Sequence, residues 1–366
     1  MQASCGLARS LPALLIAVKL MRHSFFYKTL YNHVMSYNLN PDTQPVNKPN
    51  IQVEITQAYH LCLAWNWEYD LDFICLLEAA CREAGVDLLQ ITPTNLDGAL
   101  ESLKYGELYF LAFLDRAGDS DPRFHPLAEW ARRRPVLRLN GFQQARKAWN
   151  KAEMGVKLKA AGLQIPRTLV LPSLVESPDL PQADLDWIGS PFVVKPSHGG
   201  GGRGVVTGAV SWEQVLSARS VFADDQYLLQ EQICPAFLDG RPAWFRVIYC
   251  AGETFPCWWD PLTHRYAPVT VEEEACFSLH RLRDILCTVH TLGGLDLFST
   301  EIALTAERGF LVIDYVNDPI DLRLQSKAAD GVPDEMVQGI ASGLARSVAT
   351  RLNRMSPGDW FPRSPL

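Results

Sequence analysis

The stretch from Pro191 to Val206 constrains the fold of this chain more than any other. An apolar run ends at Lys195, five glycines follow among the six positions from Gly199 to Gly204, and a second apolar run resumes. This pattern predicts a β-hairpin with a flexible tip. Glycine lets successive backbone N–H groups turn toward one anion, and Lys195 and Arg203 add positive charge. The stretch therefore predicts a nucleoside triphosphate beneath this loop, with a ligand-free surface hairpin as the alternative.

Composition is typical of a globular protein that does not bind nucleic acid or membranes through its overall charge. The chain has 366 residues, enough for two or three units with their own cores, and 48% of them are apolar. Its net charge of −7 disfavours polyanionic partners, so an anionic ligand requires a local basic site. Nine cysteines without a Cys-x-x-Cys pair predict reduced core thiols, no zinc site and a cytoplasmic location.

Residues 1–50 are predicted to be a poorly ordered extension. Leu11 to Val18 is largely apolar, but these eight residues are too short to span a bilayer, and no clear small-residue cleavage site follows them. No membrane association is predicted. A signal peptide and a later start at Met21 or Met35 stay open as alternatives.

Strands alternate with helices over the next 90 or so residues. Apolar periodicity and turn residues predict strands at Val53–Trp65, Val86–Ile91, Leu108–Leu114 and Pro135–Leu139, and helices at Asp70–Ala84, Leu96–Leu103 and Pro126–Arg134. Such alternation predicts a parallel sheet covered by helices, in a unit that runs to about residue 140.

The second part of the chain is predicted to contain helices, hairpins and one proline-rich loop. One helix spans Asn140–Gly162, with Asn150 and Glu153 forming a capping pair inside it. The remaining predicted elements are a loop at 172–190, helices at Trp212–Arg219, Glu272–Leu292 and Pro333–Leu352, a strand at Tyr227–Ile233, and two hairpins, Trp244–Tyr249 with Thr254–Trp258 and Leu297–Leu304 with Phe310–Val316.

Five motifs in order resemble the ATP-grasp superfamily over about residues 140–330, and the resemblance extends back to about residue 55. They are Lys151, which precedes Gly162 and Pro166; Lys195 before the glycine loop; the strand end Gln230-Glu231-Gln232-Ile233; Arg246 on a later strand; and Glu301 followed by Asp314-Tyr315-Val316-Asn317-Asp318-Pro319. The glycine segment is not a P-loop, because no Gly-Lys-Ser/Thr follows it. The branch it resembles includes ribosomal-protein glutamate ligase and D-alanine:D-alanine ligase.

The resemblance implies an α/β (α+β) ATP-grasp fold in which two lobes clasp ATP. It divides the chain into a parallel α/β pre-ATP-grasp subdomain at 51–140, a central subdomain with the glycine-rich loop at 141–230, a C-terminal subdomain with the metal site at 231–354, and a loose tail at 355–366. Many relatives dimerise, so a homodimer is an open possibility.

The resemblance also implies a role for each matching residue. ATP would contact Lys151, Lys195, Ser197, His198, Gly199, Gly200, Gly201, Gly202, Arg203, Gly204, Gln230, Glu231, Gln232, Ile233 and, as the ribose acid, Asp239. Glu301, Asp314 and Asn317 would hold one or two Mg²⁺, since hard oxygens suit this ion. Lys195 and Arg246 would be catalytic, because fixed cations stabilise charge on a transferring phosphoryl group.

Two departures from the family pattern affect the metal site. The usual Glu-x-Asn is replaced by Asp314-x-x-Asn317, which puts the two side chains on opposite faces of a strand unless a bulge intervenes. Asp318 is a substitute ligand in that case. Glu301 stands where aspartate is common, and Trp244 stands where relatives carry an aspartate two residues before the arginine.

Three polar or aromatic segments are candidate substrate sites. The first contains Trp259, Asp260, His264 and Arg265, with a core hairpin as its alternative. The second, after the metal strand, contains Asp321, Arg323, Gln325 and Ser326, with a solvated loop as its alternative. The third, at Asp119, Asp121 and Arg123, lies in a late loop of the first unit.

The implied activity is an ATP- and Mg²⁺-dependent ligase that joins a carboxylate to an amine or thiol through an acyl-phosphate. Its partners would be small-molecule or peptide carboxylates and amines. A small-molecule kinase and a nucleotide-binding module without catalysis are the two alternatives.

Overall fold

The computed structural model describes residues 57–181 and 185–355. The predicted extension at 1–50, the tail at 356–366 and the start of the first strand lie outside the described residues. The first sheet is parallel, with strands β1 (Gln57–Trp65), β2 (Leu88–Ile91), β3 (Leu108–Arg116) and β4 (Leu137–Leu139) in the order β2-β1-β3-β4. Helices α1 (Leu71–Glu83), α2 (Leu96–Tyr105) and α3 (His125–Arg132) connect these strands. The predicted parallel sheet with alternating helices is confirmed.

The helix predicted over Asn140–Gly162 is two helices. They are α4 (Phe142–Trp149) and α5 (Lys151–Ala160), separated by Asn150, whose ψ of 97° is extended. The Asn150 side chain accepts a hydrogen bond of 3.0 Å from the Glu153 amide and so caps α5. The cap was predicted, but the break that it produces was not. As a result Lys151 stands at the first turn of a new helix.

The glycine-rich hairpin belongs to a four-stranded antiparallel sheet. Strands β5 (Thr168–Leu171), β6 (Phe192–Pro196), β7 (Val206–Ala209) and β8 (Tyr227–Glu231) are arranged in the order β5-β8-β6-β7. The hairpin β6–β7 and its glycine-rich tip are as predicted. Helix α6 (Trp212–Arg219) follows and begins with a capping box formed by Ser211 and Gln214.

The last part of the chain forms a five-stranded antiparallel sheet. It is preceded by a short hairpin, β9 (Phe237–Leu238) and β10 (Arg241–Pro242). The sheet contains β11 (Trp244–Cys250), β12 (Glu253–Asp260), β13 (Arg265–Pro268), β14 (Leu297–Thr305) and β15 (Gly309–Asn317), in the order β13-β12-β11-β14-β15. Both predicted hairpins are present, and β13 was not predicted.

Three helices accompany this sheet. The single helix predicted at Glu272–Leu292 is two, α7 (Val271–Cys276) and α8 (Arg281–Gly293), because the chain adopts a positive φ of 56° at Ser278. Helix α9 (Asp334–Asn353) closes the described chain. Among the described residues, no helix is long and apolar enough to cross a membrane.

One face of the five-stranded sheet is apolar and packs on α4, α5 and α8. Phe245, Val247, Phe298 and Ile302 contribute to this core from the sheet. The opposite face, called the polar face below, carries buried Ile248 and Cys250 beside α9 and polar side chains farther along the strands. The eight cysteines within the described residues are free thiols, as predicted, but only four of them lie in the core, whereas Cys75, Cys234, Cys276 and Cys287 are exposed.

Candidate active site

The polar face of the five-stranded sheet brings together an arginine and two carboxylates. Arg246 of β11 lies opposite Glu301 of β14, which itself lies opposite Asp314 of β15. Directly opposed residues of an antiparallel ladder point to the same face. A distance of 3.5 Å joins Arg246 Nη1 to Glu301 Oε1, and Arg246 Nε donates a hydrogen bond of 3.1 Å to Ser299. Three predicted site residues therefore form one cluster.

A bulge in β15 adds Asn317 to this face. Asn317 lies opposite Ser299 while Asp314 lies opposite Glu301, so an advance of three residues on β15 matches two on β14. An inserted residue reverses the alternation of side chains that follows it. The spacing Asp314-x-x-Asn317 thus places both side chains on one face of the sheet.

Two lysines from outside this sheet flank Asp314. Lys195 reaches from the end of β6 and donates a hydrogen bond of 3.1 Å to the carbonyl of Ile313. Lys151 Nζ lies 3.9 Å from Asp314 Oδ1 and donates to the carbonyl of Gly199 at 2.7 Å. Both lysines are almost fully buried. The two lysines that the resemblance implies for phosphate therefore lie beside β15.

Burial and neighbouring charge perturb each of these groups. Burial lowers the pKa of Lys195 to about 8, although Asp314 acts in the opposite direction. Burial acts to raise the pKa of Asp314, but Lys151, Lys195 and Arg246 together hold it below its ordinary value. Burial raises the pKa of Glu301. The positive charge of Arg246 lowers this pKa, and the negative charge of Asp314 raises it further. Strongly perturbed groups in one cluster are characteristic of functional sites.

Glu301, Asp314 and Asn317 fit a divalent cation. Asp314 Oδ1 is buried and has no hydrogen-bond partner in the described part of the chain. Such an oxygen is costly to bury unless a cation compensates it. No cluster of three His, Cys, Asp or Glu side chains with metal-binding geometry occurs within residues 57–181 and 185–355. The protein would therefore supply two carboxylates and one amide oxygen, and phosphate oxygens and water would complete the shell.

Asp318, the substitute metal ligand, has another partner. Its Oδ1 accepts a hydrogen bond of 2.7 Å from Asn140, which follows β4. The Asn140 side chain also accepts from the amides of Asp296 and Leu297 at 2.7 and 2.9 Å. Burial raises the pKa of Asp318 to about 7, against the effect of its hydrogen bond from Asn140. Asn140, which directly follows β4, thus connects Asp318 to the start of β14.

The glycine loop lies beyond Ser197, which is buried and anchored at the start of α5. Ser197 Oγ donates to Asn150 at 2.8 Å, and its carbonyl accepts from the Lys151 amide at 2.9 Å. Gly199, Gly201, Gly202 and Gly204 all have positive φ, which other residues rarely adopt. Gly199 to Arg203 are exposed. The loop therefore has an anchored base at Ser197 and a glycine-rich backbone that can adopt several conformations. A loop that closes over a ligand needs both properties.

His198 and Arg203 point to protein groups. The His198 amide and ring Nδ1 lie 2.7 and 2.9 Å from the two carboxylate oxygens of Asp225. The Arg203 guanidinium lies over the ring of Phe222, with 5.6 Å between its central carbon and the ring centroid. Their predicted contacts with phosphate stay predictions.

The strand end Gln230-Glu231-Gln232-Ile233 is held by its side chains. Gln230 is buried and donates to Thr168 and Tyr315 at 3.1 and 3.4 Å. The Glu231 carboxylate accepts from Arg167 and Arg308. Within residues 57–181 and 185–355, the N–H groups of Gln232 and Ile233 have no backbone hydrogen-bond partner. The peptide groups of this segment, rather than the Glu231 carboxylate, are therefore suited to recognise a base.

Asp239, the proposed ribose acid, lies at the tip of the β9–β10 hairpin. Asp239 and Gly240 have φ of 48° and 75°, the geometry of a two-residue turn that favours Asp-Gly. Turn geometry is sufficient to explain this aspartate, and its role toward ribose stays a prediction.

Trp259 packs against the catalytic candidate Arg246. The centre of the Arg246 guanidinium lies 4.6 Å from the Trp259 ring centroid, and the His264 ring is stacked on Trp259 at 5.6 Å with 6° between the planes. Tyr266 contacts the same indole at 4.6 Å. The Trp259 ring therefore packs against the Arg246 guanidinium and helps to hold it in place. Trp258, its neighbour, belongs to the apolar core on the other face.

The other substrate candidates are engaged in local contacts. Asp260 accepts from Thr263 and Leu262 and so closes the β12–β13 turn, with exposed Arg265 opposite it in the ladder. Arg323 is paired with Asp321 at 2.6 Å and with Asp330 at 2.8 Å. Ser326 donates to Asp334 at 2.5 Å. Their roles toward substrate stay predictions.

The late loop of the first unit contains an ion pair at the surface, and the strand before it, β3, ends at a buried arginine. Asp121 and Arg123 form an ion pair at the surface, and Asp119 is exposed. Arg116, which the sequence did not single out, forms a buried double hydrogen bond with Asp70 at 2.8 and 2.7 Å. Its Nη2 also donates to the carbonyl of Ile320 at 2.8 Å. This arginine therefore ties the first sheet to the segment that follows β15.

Several site residues were not predicted because each is ordinary in sequence. Ser299 supports Arg246, Tyr315 lies under Lys195 at 5.7 Å, and Arg167 and Arg308 hold Glu231. No local pattern distinguishes these residues from others of their type. The position of Ser299 two residues before Glu301 is the one signal that strand alternation could have supplied.

No protein-family model matches the chain, and no curated protein matches it in sequence. Solved structures do match it. D-alanine–D-alanine ligase from Bacillus anthracis, complexed with ATP, has a TM-score of 0.55 at 14% identity, over 82% of this chain and 99% of that one. A RimK domain ATP-grasp protein from Sphaerobacter thermophilus DSM 20745 has a TM-score of 0.53 at 18% identity, over 79% and 98%.

A third match is the ATP-grasp ligase PsnB, complexed with precursor peptide PsnA2 and AMPPNP. Its TM-score is 0.54 at 13% identity, over 81% of this chain and 99% of that one. The chain therefore has the ATP-grasp fold, as the resemblance in sequence predicted.

Proposed function

We propose that this protein is an ATP- and Mg²⁺-dependent ligase that joins a carboxylate to an amine or thiol. The observation that carries the proposal is the convergence of Lys151, Lys195 and Arg246 on the carboxylates of Glu301 and Asp314. Three cations around two acids suit a polyphosphate and its metal better than they suit a neutral ligand. The solved structures described above, which include ligases complexed with ATP or AMPPNP, support the same class of activity.

The first chemical step would transfer the γ-phosphoryl group of ATP. A carboxylate oxygen of the substrate attacks the γ-phosphorus, the bond to the β-phosphate oxygen breaks, and ADP leaves an acyl-phosphate behind. Lys151 and Lys195 would bind the phosphates as point charges, and the exposed glycine loop would exclude water. Arg246, held by Ser299 and Glu301, would stabilise charge on the transferred group.

The second step would join the two substrates. The amine or thiol attacks the acyl carbon, the tetrahedral intermediate expels inorganic phosphate, and the nucleophile loses its proton to solvent or to the departing phosphate. Arg246 would stabilise the oxyanion of that intermediate. A Mg²⁺ ion held by Glu301, Asp314 and Asn317 would supply charge neutralisation to the phosphates when bound.

The experiment that tests the proposal measures ADP and phosphate release with a panel of carboxylates and amines. Asp314→Asn removes one negative charge from the metal site with little change of shape, so it is expected to lower ADP release at least a hundredfold at saturating Mg²⁺. Asp284→Asn, at an exposed position of α8, serves as the matched control. Near-normal ADP release by folded Asp314→Asn would contradict the site assignment.

A small-molecule kinase with the same fold is the second candidate. It is favoured by Asp314, which stands where ligases of this kind carry glutamate. A kinase leaves the phosphoryl group on its product, whereas a ligase releases it. Release of free phosphate in step with ADP, dependent on both substrates, would therefore support the ligase and exclude the kinase.

A further inference from the structure

Glu231 joins three separate segments at the end of β8. Its Oε2 accepts hydrogen bonds from the amide and the Nε of Arg167, at 3.1 and 2.5 Å, and its Oε1 accepts from Arg308 Nη2. Its own amide donates to the Arg167 carbonyl at 2.9 Å. The Glu231 side chain is 8% exposed, whereas the Arg167 and Arg308 side chains are 52% and 33% exposed, so these charge-assisted contacts are shielded from water on the carboxylate side. Both carboxylate oxygens are therefore committed to arginines.

The two arginines come from opposite sides of the site. Arg167 directly precedes β5, the strand that pairs with β8. Arg308 belongs to the turn between β14 and β15, where its amide donates to Thr305 Oγ1 at 3.2 Å. Arg308 therefore crosses from the five-stranded sheet to the four-stranded sheet. The contact lies at the turn end of the same hairpin whose other end carries Asp314 and Asn317.

Other contacts make this junction stiff. The Val312 amide donates to the Gln164 carbonyl at 2.9 Å, and Gln230 donates to Tyr315 at 3.4 Å. Each contact joins β15 to the segment around β5 and β8. Strand β15 and the segment Glu231–Ile233 are thus parts of one connected framework. In such a framework the side chain of one residue can hold the backbone peptide groups of other residues in a fixed orientation.

We propose that Arg308 is a positioning residue that sets the peptide groups of Glu231–Ile233 for recognition of the purine base. This inference rests on the proposed nucleotide site. Because Glu231 is anchored through Arg308, the N–H groups of Gln232 and Ile233 keep a fixed direction. A fixed N–H donor suits the unprotonated N1 of adenine and opposes the N1–H of guanine. Arg308 therefore determines base preference without touching the phosphates.

The test measures binding without turnover. Calorimetric titration with Mg²⁺ and AMPPNP, GMPPNP or inorganic tripolyphosphate separates base recognition from phosphate recognition. Arg308→Ala is expected to weaken AMPPNP binding about tenfold and to reduce the preference over GMPPNP, the order expected for loss of one positioning contact. Tripolyphosphate binding is expected to change less than twofold. Arg308→Lys is expected to restore part of the loss.

Two further variants sharpen the test. Arg346→Ala removes an exposed arginine paired with Glu253 and is the matched control, expected to leave all three ligands unaffected. If Arg308 acts through Glu231, the double variant Arg308→Ala/Glu231→Gln loses no more affinity than the more damaging single variant.

The outcomes are distinguishable. AMPPNP binding unchanged in Arg308→Ala overturns the inference and leaves the proposed function standing. An equal loss of AMPPNP and tripolyphosphate binding also overturns it, because that pattern reports a general disturbance of the site. A wild-type protein that binds neither nucleotide overturns the proposed function, and the inference falls with it.

Discussion

Replacing Lys195 with methionine should abolish ATP turnover while removing a free-energy penalty on folding. Lys195 is 7% exposed, and burial lowers its pKa to about 8 from an ordinary value of 10.5. At 1.36 kcal/mol per pH unit, this lowering corresponds to a folding penalty of roughly 3 kcal/mol for keeping a charged lysine buried. Methionine has a similar length and carries no charge, so Lys195→Met removes the penalty while abolishing the contact with phosphate.

The penalty depends on pH in a defined direction. The folded-state pKa lies below the unfolded-state value, so the penalty is complete below about pH 8 and disappears as the pH rises toward 10.5. Between pH 7 and pH 9.5, about 2 kcal/mol of it should be relieved in the wild type. The variant has no such titration. The difference in unfolding free energy between variant and wild type should therefore shift by about 2 kcal/mol, in favour of the wild type, over this interval.

Urea denaturation of the metal-free protein, followed by tryptophan fluorescence at both pH values, measures this shift. The pH-dependent part of the interaction with Asp314 is already contained in the pKa of Lys195, and Asp314, whose pKa is held below its ordinary value, stays ionised throughout. Lys327→Met removes an exposed lysine paired with Asp72 and should show a pH-independent difference. A difference for Lys195→Met that does not vary with pH, or ADP release close to that of the wild type, would refute the reasoning.

Two further predictions concern residues that support the site. Trp259→Leu removes the ring against Arg246 and should lower kcat about tenfold with little change in the KM for ATP, whereas Trp259→Phe should keep most of the activity. Steady-state kinetics check this, and equal kinetics for the two variants would argue against a supporting ring. Asp70→Ala leaves Arg116 buried without its partner and should destabilise the fold by about 3–5 kcal/mol, measured by urea denaturation. A decrease in the free energy of unfolding of less than 1 kcal/mol would contradict the argument.

The local elements were largely readable in the sequence. Alternating apolar runs and helix signals predicted the parallel first sheet, and the glycine segment predicted the β6–β7 hairpin with its tip. These features depend on neighbouring residues, whose periodicity and backbone freedom act locally. The breaks at Asn150 and Ser278 were missed because apolar periodicity continues across both positions, although the Asn150 cap was visible.

Strand β15 shows where local pattern was insufficient. Alternation alone would have put Asp314 and Asn317 on opposite faces. The bulge in β15 is decided by pairing with β14, whose register depends on the packing of both strands.

The sequence by itself determined the identity and order of the groups that carry charge: two lysines, the glycine loop, an arginine and the late acids. Only the tertiary structure decided which of them act together. It turned the Glu231 carboxylate toward Arg167 and Arg308, which lie 64 and 77 positions away along the chain. It also placed Trp259 against Arg246 and Asp314 between Lys151 and Lys195. Contacts across such separations arise from how sheets pack, and no local propensity encodes them.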